Sequence, residues 1–554
     1  MRSSVRHFVA FIVAVVLTTS LAAGAELTQT QRLAGLCRVW GLLKYYHNNV
    51  ASGQLDWNQK LMEAIPGIKA ASDPKLYEHS LLQLVRQAGY GETSHFPKPL
   101  SDFINIDWQW LDKAVYSTPL LSVVLKAIRD GRNTARQFYY SPVFSAGNLQ
   151  FLEDKKLSAL TWEREEVRLL TFFCYWNIIE YFYPYKNLMD QPWEETLLDF
   201  IPKFQNAPDE LSYHMAVKEL GAMLNDSHGI VSSSIISNYW SGTYTVGFEP
   251  SYIEGRTVVT RLYPRLLGSS DIRVGDIITH VNGKSCEALR AEKRKYIQAS
   301  NEPTLQRNLN RPLFSSQSPF LQLTLGREGQ TLQVLVPGVT YTEYNNESGA
   351  FANAIVPALI LEGNIGYIHM GALKPEQIAS TMSMLQNTQA IIFDVRNYPQ
   401  GTIWEINRYL NESTRPWAKF NYPLVESPGY FGSITISTEP STPNPAHYKG
   451  RIIILANELT QSQAEYTCMA FQATGRSTLI GSQTAGADGN VSYVYLPGYI
   501  TAVFTGLGTY YPDGRQTQRI GIVPDIVIQP TIAGIRAGRD EVLERALQFI
   551  RLGI

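Results

Sequence analysis

A serine stands at the junction between an apolar run and a helical pattern late in the chain. Residues 452–465 read IIILANELTQSQAE, with Ser462 followed three residues later by Glu465. This spacing is typical of a capping box, in which the serine and glutamate side chains bond the first free N–H groups of a helix. It is also where a nucleophilic serine would have developing negative charge stabilised by those N–H groups and the helix dipole. Spacing alone leaves both interpretations open.

Three further blocks surround this serine in a definite order. Residues 391–401 (IIFDVRNYPQG) precede it, and residues 481–486 (GSQTAG) and 521–526 (GIVPDI) follow it. Together the four blocks resemble the tail-specific, C-terminal-processing and tricorn-like serine peptidase family, and the resemblance spans from about residue 155 to the end. It implies that Ser462 attacks a carbonyl and forms an acyl-enzyme, with no metal or organic cofactor.

The family has two branches that activate the serine differently. One uses a lysine 25 residues after the nucleophile, where this chain has Ala487, so a lysine base in that place is excluded. The tricorn-like branch uses a histidine preceded by a serine, and residues 224–229 (LNDSHG) resemble that motif. The resemblance implies that His228 takes the Ser462 proton and that Ser227 helps to orient or polarise the surroundings of the ring.

Two alternatives to this base stay open. A histidine after Asn-Asp-Ser commonly does no more than end a helix in a polar loop, which is the plainer interpretation of His228. His95, which follows a Thr-Ser pair, is the second candidate for the base. The family favours His228, because its base directly precedes a PDZ-like region.

The resemblance also implies an oxyanion hole built from backbone N–H groups, at Gly401 and at Gln463. Glycine at position 401 lets the backbone approach a reacting carbonyl closely. The tricorn-like branch carries a glutamate shortly before its Gly-Val-x-Pro-Asp block, whereas this chain has Gln518 before Gly521. Gln518 can support the site by hydrogen bonding, but it cannot supply charge.

An internal repeat occupies the chain before these blocks. Trp40 and Trp57 recur 136 positions later as Trp176 and Trp193, each within apolar residues at helical spacing. We therefore predict a duplicated helical region, with one repeat at residues 26–150 and a second at residues 151–238 that ends in the Ser-His motif.

Residues 239–338 change to short alternating strands with glycine punctuation. Val-Gly-Asp-x-Ile at residues 274–278, Val-Asn-Gly at residues 281–283 and a hairpin around residues 326–329 resemble a PDZ domain. Such a domain adds an extended peptide to its sheet edge and commonly captures the terminal carboxylate. A generic β-module is the alternative, and a module that only spaces or gates the site would bind no tail.

Strands and helices alternate over residues 339–554. The pattern predicts strands at residues 365–368, 390–395 and 451–456, and helices at residues 375–385, 403–410, 463–473 and 541–550. We predict a multidomain α/β protein: the helical repeats, the PDZ-like module and a C-terminal α/β serine peptidase domain.

The N-terminus predicts export to the periplasm or the cell exterior. Arg2 and Arg6 precede an apolar run at residues 8–21 and then Ala-Gly-Ala, the layout of a signal peptide cleaved after Ala25. The run is shorter than the roughly 20 residues that a membrane-spanning helix needs. We expect no membrane span after removal of the signal.

Composition excludes several function classes. The formal net charge is −1 over 554 residues, with no basic run, so we expect no nucleic-acid partner. The four cysteines are widely spaced without a Cys-x-x-Cys pair, so no structural zinc site is supported, and we expect them to be buried as small apolar groups.

The resemblance implies an exported serine endopeptidase acting on extended or C-terminal protein segments. A non-catalytic peptide-binding protein on the same scaffold is an alternative, because the lysine is absent and residue 518 is glutamine. An esterase or other acyl hydrolase would use the same chemistry.

Overall fold

The computed structural model describes residues 27–89, 101–113, 116–131, 137–144, 146–152, 157–439 and 443–553. The predicted signal peptide at residues 1–25 and His95 lie outside these ranges. Across the described ranges, no helix has the length and apolar character needed to cross a membrane. All four cysteines are buried, as predicted.

Helices form most of the described chain before residue 241. Two 18-residue helices, Gln29–Tyr46 and Glu165–Phe182, are buried on almost every side and lie at the centre of the largest apolar core. The others that surround them are Asn48–Ala51, Trp57–Ala70, Pro74–Gln87, Pro119–Asp130, Glu195–Gln205, Glu210–Ala222 and Ser234–Trp240.

The two central helices make matching contacts 136 residues apart. The Trp40 and Trp57 indoles each donate to the other's carbonyl oxygen, at 2.9 and 3.1 Å, and Trp176 and Trp193 do the same at 3.2 and 3.0 Å. Arg32 and Arg168, in the first turns of the two helices, also donate to equivalent carbonyl oxygens. Arg32 bonds those of Leu27, Ile68 and Lys69. Arg168 bonds those of Glu163, Phe204 and Gln205. Shared contacts of this kind are what a duplicated unit predicts.

A β-rich unit follows the helices. Its main strands lie in the order Gln330–Pro337, Phe320–Arg327, Ile277–Val281, Arg256–Leu262 and Phe248–Ile253, all antiparallel, with Lys284–Ser285 beside Ile277–Val281. The predicted hairpin is confirmed and is longer than expected. Helices Cys286–Lys293 and Glu302–Leu313 cover the unit, and Phe248–Ile253 is one of the two edge strands of its sheet.

A six-stranded sheet forms the core of the C-terminal region. Its order is Ala358–Leu361, Ile365–His369, Ala390–Asp394, Arg451–Ala456, Ser477–Gly481 and Ile526–Val527, parallel after the first strand. The central strands are buried on both faces, which explains their continuous apolar sequence. The helices nearby are Tyr341–Asn353, Ile378–Leu385, Ile403–Leu410, Gln463–Gln472, Ile532–Arg536 and Glu541–Leu552.

The predicted alternation in this region is confirmed. Strand Arg451–Ala456 and helix Ile403–Leu410 have the predicted bounds. The helix predicted from residue 375 begins instead with a 3-10 turn, Pro375–Gln377, because the proline starts a tight turn before Ile378.

Smaller sheets join distant parts of the chain. Strand Ile230–Ser232 pairs antiparallel with Ile500–Thr505, which pairs with Val491–Leu496. A second sheet has the order Phe103–Ile104, Tyr430–Ser437, Pro416–Pro423 and Gly508–Tyr510. Two short pairs complete the list: Tyr140–Pro142 with Leu149–Phe151, and Tyr244–Thr245 with Val339–Thr340.

Candidate active site

Ser462 has a strained backbone at the start of helix Gln463–Gln472. Its φ of 58° and ψ of −126° lie in a region that L-residues rarely adopt. Ser285, which caps helix Cys286–Lys293, has an ordinary extended backbone, with φ −65° and ψ 146°. A capping serine therefore needs no such strain. A non-glycine residue held this way costs about 1–3 kcal/mol, and such strain is concentrated at functional sites.

A buried carboxylate holds the turn around Ser462. Glu465 accepts the Ser462 N–H at 3.3 Å, the Gly486 and Ala487 N–H groups at 2.8 and 3.0 Å, and the Thr484 hydroxyl. Burial raises the pKa of Glu465 to about 7, although these four hydrogen bonds oppose the rise. One half of the predicted capping box is thus present, and its glutamate also binds the loop of residues 484–487.

Two backbone N–H groups near Ser462 have no partner in the described chain. Gln463 is the first residue of its helix, so its N–H has no intrahelical acceptor. Gly401 has a φ of 74°, and a β-carbon added there would lie 3.7 Å from Gln463 Nε2. The structure therefore places Gly401 beside the side chain of Gln463, the residue that follows the predicted nucleophile.

The His228 ring is held from its Nδ1 side. Nδ1 lies 3.0 Å from the Thr505 hydroxyl, and that hydroxyl donates to the buried Asp226 carboxylate at 2.9 Å. No hydrogen bond joins the ring to Ser462 anywhere in the described ranges. Catalytic hydrogen bonds are often long before substrate binds, so this geometry does not remove His228 as a base.

The segments that carry Ser462 and His228 are directly connected. The Gln461 side-chain amide donates to the Ser227 carbonyl oxygen at 3.2 Å and accepts from Arg307 Nη2 at 2.7 Å. Residues next to the nucleophile and next to the base thus bond one another.

The region around Ser462 matches a known protein family. Residues 364–528 match the model of peptidase family S41. The match supports a serine peptidase, because it covers the predicted nucleophile and the blocks on either side of it.

A curated relative has a similar sequence over part of its length. The Carboxyl-terminal-processing protease of Picosynechococcus sp. is 27% identical over 173 residues, which are 30% of this chain. The chain spans 39% of the length of that relative.

Solved structures share the fold over a wider range. Mature CPAF complexed with lactacystin has a TM-score of 0.54 at 16% identity, covering 70% of this chain and 99% of that chain. The crystal structure of mature CPAF has the same TM-score and identity, with 98% of that chain covered.

The remaining predicted residues lie around the segment of His228. The Ser227 hydroxyl donates to the Ala485 carbonyl oxygen at 3.0 Å and accepts the Ser300 N–H at 2.8 Å, so it does not bond the His228 ring. The hydroxyl beside the ring belongs to Thr505 instead. Gln518 is buried and donates to Asp226 at 3.3 Å.

Sequence reasoning missed three residues that lie around His228 and Ser462. Asp226 was visible in the Asn-Asp-Ser-His motif, where a carboxylate two residues before a histidine is a signal that we did not use. Thr505 and Arg307 had no local signal. Burial lowers the pKa of His228, Arg307 lowers it further, and Asp226 opposes both effects.

Proposed function

We propose that this chain is an exported serine endopeptidase of the tricorn-like Ser–His type, acting on extended or C-terminal protein segments. The observation that carries the proposal is the strained Ser462 at a helix start, beside the unpartnered N–H groups of Gly401 and Gln463. An ordinary helix cap has free first-turn N–H groups too, but it would not need the backbone strain.

In the proposed mechanism, His228 Nε2 accepts the proton of the Ser462 hydroxyl as its oxygen attacks the substrate carbonyl. The Gly401 and Gln463 N–H groups donate to the resulting oxyanion. The His228 imidazolium then protonates the leaving amine, and an acyl-enzyme forms on Ser462. Water activated by the same histidine hydrolyses the acyl-enzyme.

The β-rich unit would bind the substrate in the manner of a PDZ domain. A groove of about 260 Å³ runs between its edge strand, Phe248–Ile253, and helix Glu302–Leu313. An edge strand has free N–H and C=O groups to which an extended peptide can add. Val246, Phe248 and Phe314 give the groove an apolar lining suited to a C-terminal side chain. The alternative is a unit that only spaces or gates the site.

Fluorophosphonate labelling tests the proposed nucleophile, because the reagent modifies only activated serines. We expect one adduct, located on Ser462 by mass spectrometry, and none in Ser462→Ala. Ser285→Ala is the matched control, because Ser285 caps a helix without strain, and it should label as the wild type does.

Absence of labelling, together with retained peptide binding, would instead favour the non-catalytic binding protein. That second candidate rests on one observation: in the described ranges, no hydrogen bond joins the His228 ring to Ser462. Turnover of simple esters without cleavage of any peptide would favour an acyl hydrolase.

A further inference from the structure

Residue 518 is glutamine, so another group must orient the His228 ring and stabilise its protonated form. Three hydrogen-bond donors converge on a single oxygen of Asp226. Its Oδ1 accepts the Thr505 hydroxyl at 2.9 Å, the His228 backbone N–H at 3.0 Å and the Gln518 amide at 3.3 Å. Its Oδ2 accepts the Thr505 backbone N–H at 2.7 Å. Asp226 is fully buried, so its carboxylate acts on these neighbours rather than on solvent.

Proton counting assigns the direction of each bond. A carboxylate only accepts hydrogen bonds, so the Thr505 hydroxyl donates its single hydrogen to Asp226. The oxygen of that hydroxyl must then accept from His228 Nδ1, 3.0 Å away. Nδ1 therefore carries the hydrogen, and the lone pair of the neutral ring is on Nε2, the nitrogen needed to take a proton from serine.

We propose that Asp226, acting through Thr505, replaces the missing glutamate and fixes His228 in its base-competent tautomer. The proposal rests on the assignment of His228 as base, and it makes Asp226 and Thr505 positioning residues. When Nε2 gains the serine proton, the Nδ1–H still donates to Thr505 and Thr505 still donates to Asp226. No proton moves along this relay, and the buried carboxylate stabilises the imidazolium against the opposing charge of Arg307.

The Gln518 side chain donates to Asp226 through its amide nitrogen, while its amide oxygen is buried without a hydrogen-bond partner among the described residues. Its amide nitrogen faces the Asp226 oxygen at 3.3 Å and also lies 3.5 Å from the Ser300 hydroxyl. A glutamate at position 518 would bring a second carboxylate against Asp226, and two such groups cannot both ionise easily. Glutamine at position 518 instead donates a hydrogen bond to Asp226 and adds no second carboxylate beside it.

A neighbouring strand pair explains why Thr505 is the partner of the His228 ring. Strand Ile230–Ser232 pairs with Ile500–Thr505, with Ile230 opposite Val503. The pairing ends at Ile230, and His228 lies in the turn just before that strand. The end of strand Ile500–Thr505 therefore lies beside this turn, where Thr505 bonds both Asp226 and the His228 ring.

The kinetic test compares Thr505→Val with Thr505→Ser. Valine keeps the shape and the backbone N–H but loses the hydroxyl, whereas serine retains the hydroxyl. We expect kcat on a peptide substrate to fall by roughly 10²-fold or more in Thr505→Val with little change in KM. Thr505→Ser should restore most of the rate. Equal kcat for the wild type and Thr505→Val would overturn the proposal.

A second measurement reads the tautomer without requiring turnover. The full chain is labelled with ¹⁵N-histidine, and the His228 signals among the nine histidines are assigned by their loss in His228→Gln. We expect the neutral ring to carry its hydrogen on Nδ1 in the wild type and to become a tautomer mixture in Thr505→Val. A wild-type ring protonated on Nε2 would overturn the relay.

The two measurements separate failure of the relay from failure of the proposed function. Retained peptidase activity in His228→Ala would refute the base itself, while the tautomer spectrum would still decide the relay. In Gln518→Glu we expect a lower rate than in the wild type, because the new carboxylate faces Asp226. A rate above that of the wild type would show that a glutamate at position 518 improves the site and that Asp226 does not replace it, which would overturn the proposal.

Discussion

The Ser462 backbone N–H donates to the carbonyl oxygen of Ala487 at 2.9 Å. The position that carries a lysine in one branch of the family is therefore in direct contact with the nucleophile, and here it holds a fully buried methyl group. Ala487 cannot exchange a proton, so activation of Ser462 must come from another element of the fold. The segment of His228 is bonded to the loop before Ser462 through Gln461.

His228→Ala should lower the chemical step by several orders of magnitude, because a hydroxyl at its free pKa is a weak nucleophile. His95→Ala is the control and should change the rate little. Single-turnover kinetics on a peptide substrate measures both. The reverse result would show that the base lies in the first helical repeat.

Ser462→Ala should abolish hydrolysis while lowering the free energy of unfolding by no more than about 1 kcal/mol. Ser462→Gly should also be inactive, yet about 1 kcal/mol more stable than the alanine variant, since glycine adopts a φ of 58° without strain. Urea denaturation of the two variants gives the difference. Equal stabilities would mean that the serine backbone stores no strain.

The acidic limb of the pH–rate profile should lie below the ordinary histidine value of about 6.5. Burial and Arg307 lower the pKa of His228, and the neutral base exists above that pKa, so activity is lost only when the pH falls through the lowered value. Removing the cation in Arg307→Gln should move this limb to higher pH. The profile of kcat/KM against pH measures the shift.

Arg311→Gln is the matched control for Arg307. Both arginines line the groove of the β-rich unit, but Arg307 alone bonds the nucleophile loop, at Glu458 and Gln461, in the part of the chain that the structure describes. The control should leave the acidic limb in place. An equal shift in both variants would indicate a general electrostatic effect of the groove.

Peptides with an apolar free C-terminus should be cleaved with a lower KM than the same peptides amidated. Amidation removes the negative charge that a PDZ-like groove would bind, whereas kcat should change much less because the groove would hold the substrate tail and not the bond that Ser462 attacks. Steady-state kinetics on matched peptides provides the measurement. Equal constants for the two forms would support the gating role of the β-rich unit.

Local sequence determined much of the scaffold. The apolar run of strand Arg451–Ala456 and the periodicity of helix Ile403–Leu410 predicted their bounds, because a buried parallel strand and an amphipathic helix impose different spacings. The serine between strand and helix and the alanine at position 487 were also visible in the chain itself. These features depend on residues close together in sequence.

Only the tertiary structure decided how the base is held. We predicted Ser227 beside the His228 ring, yet its hydroxyl bonds Ser300 and Ala485. The hydroxyl beside the ring is that of Thr505, more than 270 residues away in sequence, at the end of the strand that pairs with Ile230–Ser232. Arg307 likewise contacts Gln461 from a helix of the β-rich unit. Nothing in the local pattern of a threonine or an arginine encodes such contacts, because they arise where separately folded segments pack, and packing fixes which side chains share a buried space.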